Sequence, residues 1–391
     1  MATTRRGLLR AAGGLAALSL TGAAVAGCAF GADSTAGRTS QLLNALNQAV
    51  AARDRAGFVS CFVSGALGGR LSAAWFDNLT QLQRVDFRLT GPVPDDHRPQ
   101  LRPWQQPVAV TWSMPFEAAN AEHQLRLDLS DENAVVRVSN FIPSGPLPIW
   151  AVGALASATG KTGSVLATKP VDISPWTSAH RRAVSLVLAA GLGPLTSGWD
   201  RRLMVEIAAT LTSFAAIVGA KASDQESVGA IAIREGAPGS GAVRVLVNAS
   251  QDAGLAQADR EVLLTHEGVH VATRSPEWQA PLWVTEGLAE RVALTASPAH
   301  WTYSRRLAAQ AASAPTAPRT PPADVEFGRG DLERAYALAR VGVDALFANL
   351  GQPRALGVIA AVAGGRSFPA AGVPQAALER WFAEELGRQR A

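Results

Sequence analysis

Residues 261–291 read EVLLTHEGVHVATRSPEWQAPLWVTEGLAER, and most of what the sequence indicates about this chain follows from them. His266 and His270 are four positions apart with Glu267 between them, in the pattern His-Glu-x-x-His. Side chains at positions i and i+4 project from one face of a helix, so both imidazoles can point at a single metal ion. The sequence therefore predicts a metal-binding helix that ends at Ser275-Pro276.

The second half of this stretch offers a third metal ligand. Residues 281–290 predict a new helix that begins at Pro281. Glu286 and Glu290 are four positions apart on it, so one can reach the metal while the other hydrogen-bonds a ligating histidine and fixes the orientation of its ring. Two histidines and one carboxylate leave a fourth position open for water, which is typical of catalytic rather than structural zinc sites.

Glu267 is the candidate general base. It follows His266 round the helix, close enough to hold a water molecule at the open position without binding the metal. Zinc lowers the pKa of such a water toward neutrality, and Glu267 would accept its proton as the water attacks a carbonyl group. The string can arise by chance on a polar helix, but the chain has only six histidines and the glutamate-containing helix follows closely. The sequence favours a catalytic site with one zinc ion.

This pair of motifs resembles the gluzincin metallopeptidases. HEGVH followed by PLWVTEGLAE is most similar to their Peptidase-MA-like branch, in which a W-x-x-E-G-x-A-E segment follows the metal helix. The resemblance extends from near Leu203 to near Leu350 and implies a zincin-like peptidase domain over residues 151–391 that acts on a peptide or protein. The roles that it implies are zinc ligand for His266, His270 and Glu286, general base for Glu267, and hydrogen-bond partner of a ligating histidine for Glu290.

Gly268 is the one departure from the family's pattern. It stands inside the metal helix, where a better helix former is usual, and costs ~1 kcal/mol relative to alanine. The cost weakens the local helix without changing the set of ligands.

Tyr336 is the candidate oxyanion donor. An oxyanion forms when water attacks a carbonyl, and a hydroxyl group beside the metal would stabilise it. Tyr336 lies on a predicted helix over residues 331–340, broadly where many gluzincins place such a donor. Apolar residues share its face at helical spacing, so a purely structural role in the core is equally compatible with the sequence. Tyr303 and His300 are weaker candidates.

The N-terminus predicts export and a lipid anchor. Arg5 and Arg6 precede an uncharged run, so residues 1–27 have the form of a signal peptide that is too short for a membrane span. The paired arginines resemble a twin-arginine signal. Val25-Ala26-Gly27-Cys28 resembles a lipobox, which implies cleavage before Cys28 and lipidation of its sulfur. We expect an extracytoplasmic protein attached to the membrane; a plain Sec signal with an incidental cysteine is the alternative.

The composition argues against a nucleic-acid-binding protein and against a fold held by disulfides. The formal charge is +4, and three arginines of the signal peptide account for most of it, so the mature chain is nearly neutral. No cluster of basic residues with interleaved aromatics appears, so a nucleic-acid partner is not expected. Cys28 and Cys61 are the only cysteines, and lipidation of Cys28 would leave Cys61 without a disulfide partner.

The region before the peptidase domain predicts a small α+β domain. Residues 28–40 are mostly small and polar and predict a tether, and a helical pattern begins at Gln41. Four segments follow in which apolar and polar residues alternate, which indicates an antiparallel sheet with one solvent-exposed face. Helices followed by such a sheet resemble the NTF2-like fold over residues 41–142. A proline-rich joint then ends at Trp150, which we expect to be a packing anchor, and His97 and His123 are assigned no role.

Two expectations concern the surroundings of the site. In zincins the strand before the metal helix commonly forms the sheet edge that binds substrate, so residues 243–248 are either that edge or an ordinary interior strand. Residues 310–323, QAASAPTAPRTPPA, predict a loop that could cover the cleft. The rival to a peptidase is a ligand-binding lipoprotein with a vestigial or structural zinc site.

Overall fold

The computed structural model describes residues 34–93, 103–132, 134–251, 254–328 and 331–390. Within these residues the protein has the predicted α+β fold, with one four-stranded and one five-stranded sheet. No helix in the described ranges is long and apolar enough to cross a membrane. Residues 1–27, Cys28 and His97 lie outside the described residues.

The N-terminal part consists of three helices followed by an antiparallel meander. Its helices are α1 (Thr35–Ala52), α2 (Arg55–Ser60) and α3 (Ala66–Leu79). Its strands, which pair in sequence order, are β1 (Arg84–Leu89), β2 (Trp104–Ser113), β3 (Ala121–Glu132) and β4 (Val135–Pro143). The period-two alternation places one set of side chains, such as Val108, Val110 and Trp112, in the core beneath the helices.

Helix α1 begins earlier than the sequence predicts. The side chain of Ser34 caps it by accepting a hydrogen bond from the Gly37 N–H at 3.0 Å. Thr39 is buried, and its hydroxyl donates to the Thr35 carbonyl at 2.7 Å. The predicted tether over residues 28–40 is therefore wrong from Thr35 onward, because the Ser34 cap and the burial of the small residues that follow stabilise a helix there.

The second part contains a mixed sheet and most of the helices. After the short helix α4 (Ile149–Val152), its strands are β5 (Leu155–Gly160), β6 (Gly163–Thr168), β7 (Leu203–Ala208), β8 (Ala230–Glu235) and β9 (Ala242–Asn248). The order across the sheet is β5-β6-β7-β9-β8, with β8 antiparallel to β9. Strand β9 precedes the metal helix but is interior, so the interior alternative is correct and the free edge belongs to β8.

Eight more helices complete this part. They are α5 (Ser174–Ala189), α6 (Leu211–Val218), α7 (Gln257–Thr273), α8 (Leu282–Ala293), α9 (Pro298–Ser313), α10 (Leu332–Leu350), α11 (Gln352–Ala363) and α12 (Gln375–Arg388). Helices α8 and α10 approach closely at Gly287, where an added Cβ would lie 2.3 Å from the Ala339 carbonyl oxygen. Only glycine allows that contact, and it brings Tyr336 on α10 toward Glu286, the predicted metal ligand on α8.

The joint between the two parts is packed. Trp150 is fully buried, its ring meets that of Trp75 edge to face at 5.2 Å, and its carbonyl accepts a hydrogen bond from Asn78 at 2.7 Å. Its predicted role as a packing anchor is confirmed. One continuous apolar cluster extends from α1 and the first sheet to residues of β7, α6 and β9 such as Met204 and Leu246.

A buried ionic cluster also joins the two parts. The guanidinium of Arg244 on β9 donates to Glu117 at 2.7 Å, Glu206 at 3.0 Å and Glu235 at 2.6 Å. It also lies 3.8 Å from the ring centroid of Trp112 on β2. Glu117 belongs to the β2–β3 connection of the first sheet, so one arginine ties that connection to the centre of the second sheet.

Candidate metal centre

Helices α7 and α8 position the predicted metal ligands. Every residue of α7 from Val262 to Thr273 is buried, so the helix runs through the interior with His266, Glu267 and His270 on it. It ends at Arg274, which adopts a left-handed conformation with φ 52° and donates its N–H to the His270 carbonyl. That turn reverses the chain and lets α8 return beside α7, as the break at Ser275-Pro276 predicts.

Three ligand atoms converge at one point. The Nε2 atoms of His266 and His270 are 3.1 Å apart, and Oε2 of Glu286 lies 3.1 Å from the first and 3.4 Å from the second. Tetrahedral ligands at ~2.0–2.1 Å from a zinc ion are separated by about 3.3–3.4 Å. Lone pairs that face one another at these distances repel unless a cation or a proton lies between them. The three side chains are therefore spaced to hold a metal ion.

Each histidine ring has an oxygen atom facing its Nδ1, on the side opposite the converging Nε2 atoms. Nδ1 of His270 lies 2.6 Å from the hydroxyl oxygen of Ser275, and Nδ1 of His266 faces Oε2 of Glu290 at 3.6 Å. At His270, an N–H at Nδ1 donates to the Ser275 oxygen and leaves Nε2 unprotonated, which is the form that binds a metal. The contact between His266 and Glu290 is longer and is ionic in character. Glu290 thus lies beside the ring of His266, on the side away from Glu286.

The electrostatics of the site favour positive charge. Burial lowers the pKa of His266, but the carboxylates of Glu286 and Glu290 outweigh it and raise that pKa to about 10. Burial raises the pKa of Glu286, and the two neighbouring histidines reverse this, so the pKa of Glu286 falls far below its ordinary value. A cation at the convergence point would interact with the same carboxylates.

Glu267 faces the same cavity from the metal helix. Its carboxylate accepts a hydrogen bond from the backbone N–H of Ala232 on β8, and burial raises its pKa above the ordinary value. A raised pKa suits a group that must accept and then release a proton near neutral pH.

The free edge of β8 borders the cavity. Asn248 N–H donates to the Gly229 carbonyl at 2.8 Å, and hydrogen-bonded pairs alternate along an antiparallel ladder. Ile231 and Ile233 consequently bond to β9, while the main-chain groups of Ala230 and Ala232 face away from it. This agrees with the hydrogen bond from Ala232 to Glu267.

Tyr336 on α10 reaches the site. Its ring meets that of His266 edge to face at 5.6 Å, and its hydroxyl is in hydrogen-bonding contact with the Glu286 carboxylate. Burial and the nearby carboxylates raise the pKa of Tyr336 well above its ordinary value, so the hydroxyl keeps its proton. The ring also packs against Phe327 at 5.7 Å within the apolar core. A site role and a core role are both compatible with this position.

The cavity has a volume of about 150 Å³. Around the metal ligands, Glu267 and Tyr336, its walls are mainly apolar or small. These wall residues are Ala230, Ile231, Ala232, Ser275, Pro276, Trp278, Ala280, Leu282 and Thr285. No residue of the predicted covering loop over 310–323 lines it, and α9 continues to Ser313 within that segment.

The weaker candidates lie elsewhere. Tyr303 donates a hydrogen bond to Glu333, and His300 pairs with Asp259 at 2.9 Å. His123 is buried at the joint between the two parts, 3.5 Å from Glu235. Cys61 is buried and has no disulfide partner among the described residues, and burial raises the pKa of its thiol to about 11.

Ser275 and the main chain of Ala232 are absent from the sequence-based set of site residues. Ser275 could have been found as the first side-chain oxygen after a ligand-bearing helix. Ala232 carries no signal in its side chain.

Within the part of the chain that the structure describes, His266, His270 and Glu286 form the one group of potential metal ligands. Neither a family model nor a curated protein matches the chain.

Proposed function

We propose that the protein is a zinc-dependent peptidase of the gluzincin type. The observation that carries this proposal is the convergence of His266, His270 and Glu286 at 3.1–3.4 Å, with the carboxylate of Glu267 in the same buried cavity. A structural zinc site needs no further acidic side chain beside its ligands, and burying an extra carboxylate is costly. Hydrolysis gives Glu267 a use that a structural site or a ligand-binding lipoprotein does not.

His266, His270 and Glu286 would hold the zinc ion, with Ser275 and Glu290 fixing the two imidazoles. When bound, zinc supplies Lewis acidity that polarises the scissile carbonyl and lowers the pKa of a water molecule beside it. Residues of the protein carry out the remaining steps.

Glu267 is the proton carrier in this proposal. Its carboxylate accepts a proton from the attacking water as the new C–O bond forms at the carbonyl carbon. It then gives the proton to the amide nitrogen as the C–N bond breaks, so one water is consumed and a carboxyl group and an amine result. The Ala232 N–H holds the carboxylate against the edge of β8 throughout.

Tyr336 is the proposed oxyanion donor. Its hydroxyl keeps its proton because burial and the carboxylates raise its pKa, so it can donate a hydrogen bond to the developing negative charge. To do so it would turn from Glu286 toward the oxyanion, a movement within the same cavity.

The substrate backbone would lie along β8. The N–H and C=O of Ala230 and the C=O of Ala232 face away from β9, while the Ala232 N–H is bound to Glu267. An extended peptide can pair with such an edge. Small alanine side chains at both positions keep β8 close to α7, so a peptide bond on this edge passes over Glu267.

We also propose that the enzyme works outside the cytoplasm on a lipid anchor. The support is the sequence alone, namely the paired arginines and the Val25-Ala26-Gly27-Cys28 segment. Replacing the cysteine, Cys28→Ala, should move the protein from the membrane fraction to the soluble extracytoplasmic fraction. Retention of the variant at the membrane would contradict the lipid anchor and leave the peptidase proposal unaffected.

The peptidase proposal is tested with the mature protein and two variants. Zinc content should be one ion per chain in the wild type and in Glu267→Gln, and should be lost in His266→Ala. Turnover of a mixed peptide library should fall about 10²–10⁴-fold in Glu267→Gln. A Glu267→Gln variant as active as the wild type, or a wild type that binds no zinc, would overturn the proposal.

A further inference from the structure

We infer that this site cleaves inside peptide chains and recognises neither the free amino terminus nor the free carboxyl terminus. The inference rests on the proposed peptidase function and adds the class of substrate. It follows from the charges that the cavity contains and from those that it does not.

An exopeptidase must bind a charged chain end in a desolvated cavity. Burying an ammonium or carboxylate group without a partner of opposite charge is strongly unfavourable. An aminopeptidase therefore needs a carboxylate that neither binds the metal nor carries the proton, and a carboxypeptidase needs a lysine, an arginine or an equivalent donor for the terminal carboxylate.

The described lining of the cavity offers neither group. Its only carboxylates are Glu286, which is a proposed metal ligand, and Glu267, which is the proposed base. No lysine or arginine is among the described residues that form the walls. The rest of the lining beyond the histidines is alanine, isoleucine, leucine, proline, tryptophan and the neutral hydroxyl side chains.

Two acidic side chains next to the lining segments, Glu277 and Asp324, are already engaged. Glu277 lies between two lining residues, and its carboxylate accepts from Arg274 at 2.8 Å and from the Gly239 N–H at 3.1 Å. Asp324 accepts from the Leu282 N–H at the start of α8 at 2.8 Å. Recruiting either carboxylate for a substrate amine would sacrifice an existing contact.

What the site does offer is suited to the middle of a chain. The outward N–H and C=O of Ala230 and the outward C=O of Ala232 match the amide groups of an extended peptide, and they bind it equally well wherever that peptide ends. The cavity has a volume of about 150 Å³. With walls such as Ile231, Ala280 and Leu282, it suits a small apolar side chain next to the cleaved bond.

The test compares one peptide with its ends free and blocked. The zinc-loaded mature protein is given an internally quenched decapeptide, rich in Ala, Val and Leu, in three forms: both ends free, N-terminally acetylated, and C-terminally amidated. We expect kcat/KM values that agree within about threefold, because losing a charge-assisted contact to a chain end would cost about tenfold or more. Mass spectrometry of the products should show internal cleavage.

A second readout does not need turnover. The Glu267→Gln variant should bind fluorescent versions of the free and blocked peptides with equal affinity in an anisotropy titration. His266→Ala serves as the control for contaminating peptidases.

Three outcomes are separable. Equal cleavage and equal binding of free and blocked peptides support the inference. A preference of tenfold or more for a free end overturns it while the peptidase proposal stands. If the wild type cleaves no form faster than His266→Ala does, the peptidase proposal fails and the inference fails with it.

Discussion

Nδ1 of His270 lies 2.6 Å from the hydroxyl oxygen of Ser275, five residues further along the chain. The contact spans the end of α7, where Arg274 turns the chain in a left-handed conformation. The same turn that ends the metal helix therefore places the group that orients one of its two imidazoles. Ring orientation at this site depends on how the helix stops as well as on the helix itself.

Ser275→Ala should weaken zinc binding about 10–100-fold, because the imidazole of His270 loses the partner that fixes its tautomer. A chelator competition titration measures the change. The matched control is Ser297→Ala, which removes a 2.8 Å serine contact to Nδ1 of His300, a histidine that does not line the cavity. Equal zinc affinity in Ser275→Ala and the wild type would contradict the orienting role.

Tyr336→Phe decides between the site role and the core role of this tyrosine. If the Tyr336 hydroxyl is the oxyanion donor, removing it should lower kcat about 10²–10³-fold with zinc content unchanged. Tyr303→Phe, at a tyrosine outside the cavity, should leave kcat unchanged. If Tyr336→Phe keeps activity within about threefold of the wild type, the ring serves only the core.

The two glycines beside the site should respond to alanine with opposite signs. An added Cβ at Gly268 would lie 3.4 Å from Val187, an ordinary contact, so Gly268→Ala should raise the free energy of unfolding by ~0.5–1 kcal/mol through helix propensity. At Gly287 the Cβ would lie 2.3 Å from the Ala339 carbonyl oxygen, so Gly287→Ala should lower it by about 1–3 kcal/mol. Urea unfolding measures both, and a stabilising Gly287→Ala would refute the close approach of α8 and α10.

Glu206 should make stability fall with rising pH. Burial and the neighbouring Glu235 raise its pKa well above the ordinary value of 4.5, and Arg244 only partly opposes this. Between 4.5 and the raised pKa, the unfolded chain releases a proton that the folded protein keeps, so this contribution is full below the unfolded pKa and is lost as pH rises. Glu206→Gln carries no such proton and should flatten the decline of the melting temperature as pH rises above 4.5.

Glu235→Gln is the matched comparison of opposite sign. Burial raises the pKa of Glu235, but Arg244 and His123 outweigh it, and the pKa lies below its ordinary value. Its contribution to stability is present above the unfolded pKa and is lost as pH falls through the folded one. Glu235→Gln should therefore destabilise the protein at neutral pH, where Glu206→Gln does not. If both variants behave alike, the distribution of charge around Arg244 is not the one described.

The sequence predicts which site residues lie together where their proximity depends only on the geometry of one helix or strand. His266, Glu267 and His270 are fixed by the repeat of one helix, and Glu286 and Glu290 by that of the next, so their spacing predicts their relative directions. Strands β1 to β4 follow from alternation in the same way. The structure brings both helices to one point, as the paired motifs indicate.

What could not be predicted depends on contacts between distant segments. The order that makes β9 interior and β8 the edge is set by pairing across the sheet, and neither strand's own sequence records it. The cluster around Arg244 gathers glutamates from positions 117, 206 and 235, whose proximity no spacing reveals. The prediction of where α1 begins was wrong for another reason. The small polar residues near Thr35 are buried by the first sheet and the neighbouring helices, and a small polar composition does not reveal that burial.

The apolar cluster that crosses the joint at Trp150 has a consequence for how this molecule can be divided. Met204 and Leu246 of the second sheet pack in the same cluster as the helices of the N-terminal part, and Arg244 draws one of its partners from the β2–β3 connection. A cut in the proline-rich joint would leave each fragment with an apolar face exposed and would strip Glu117 from the guanidinium. The two parts should consequently melt in one cooperative transition, and neither is a module that gene fusion or recombination could exchange without remaking the surface of the other.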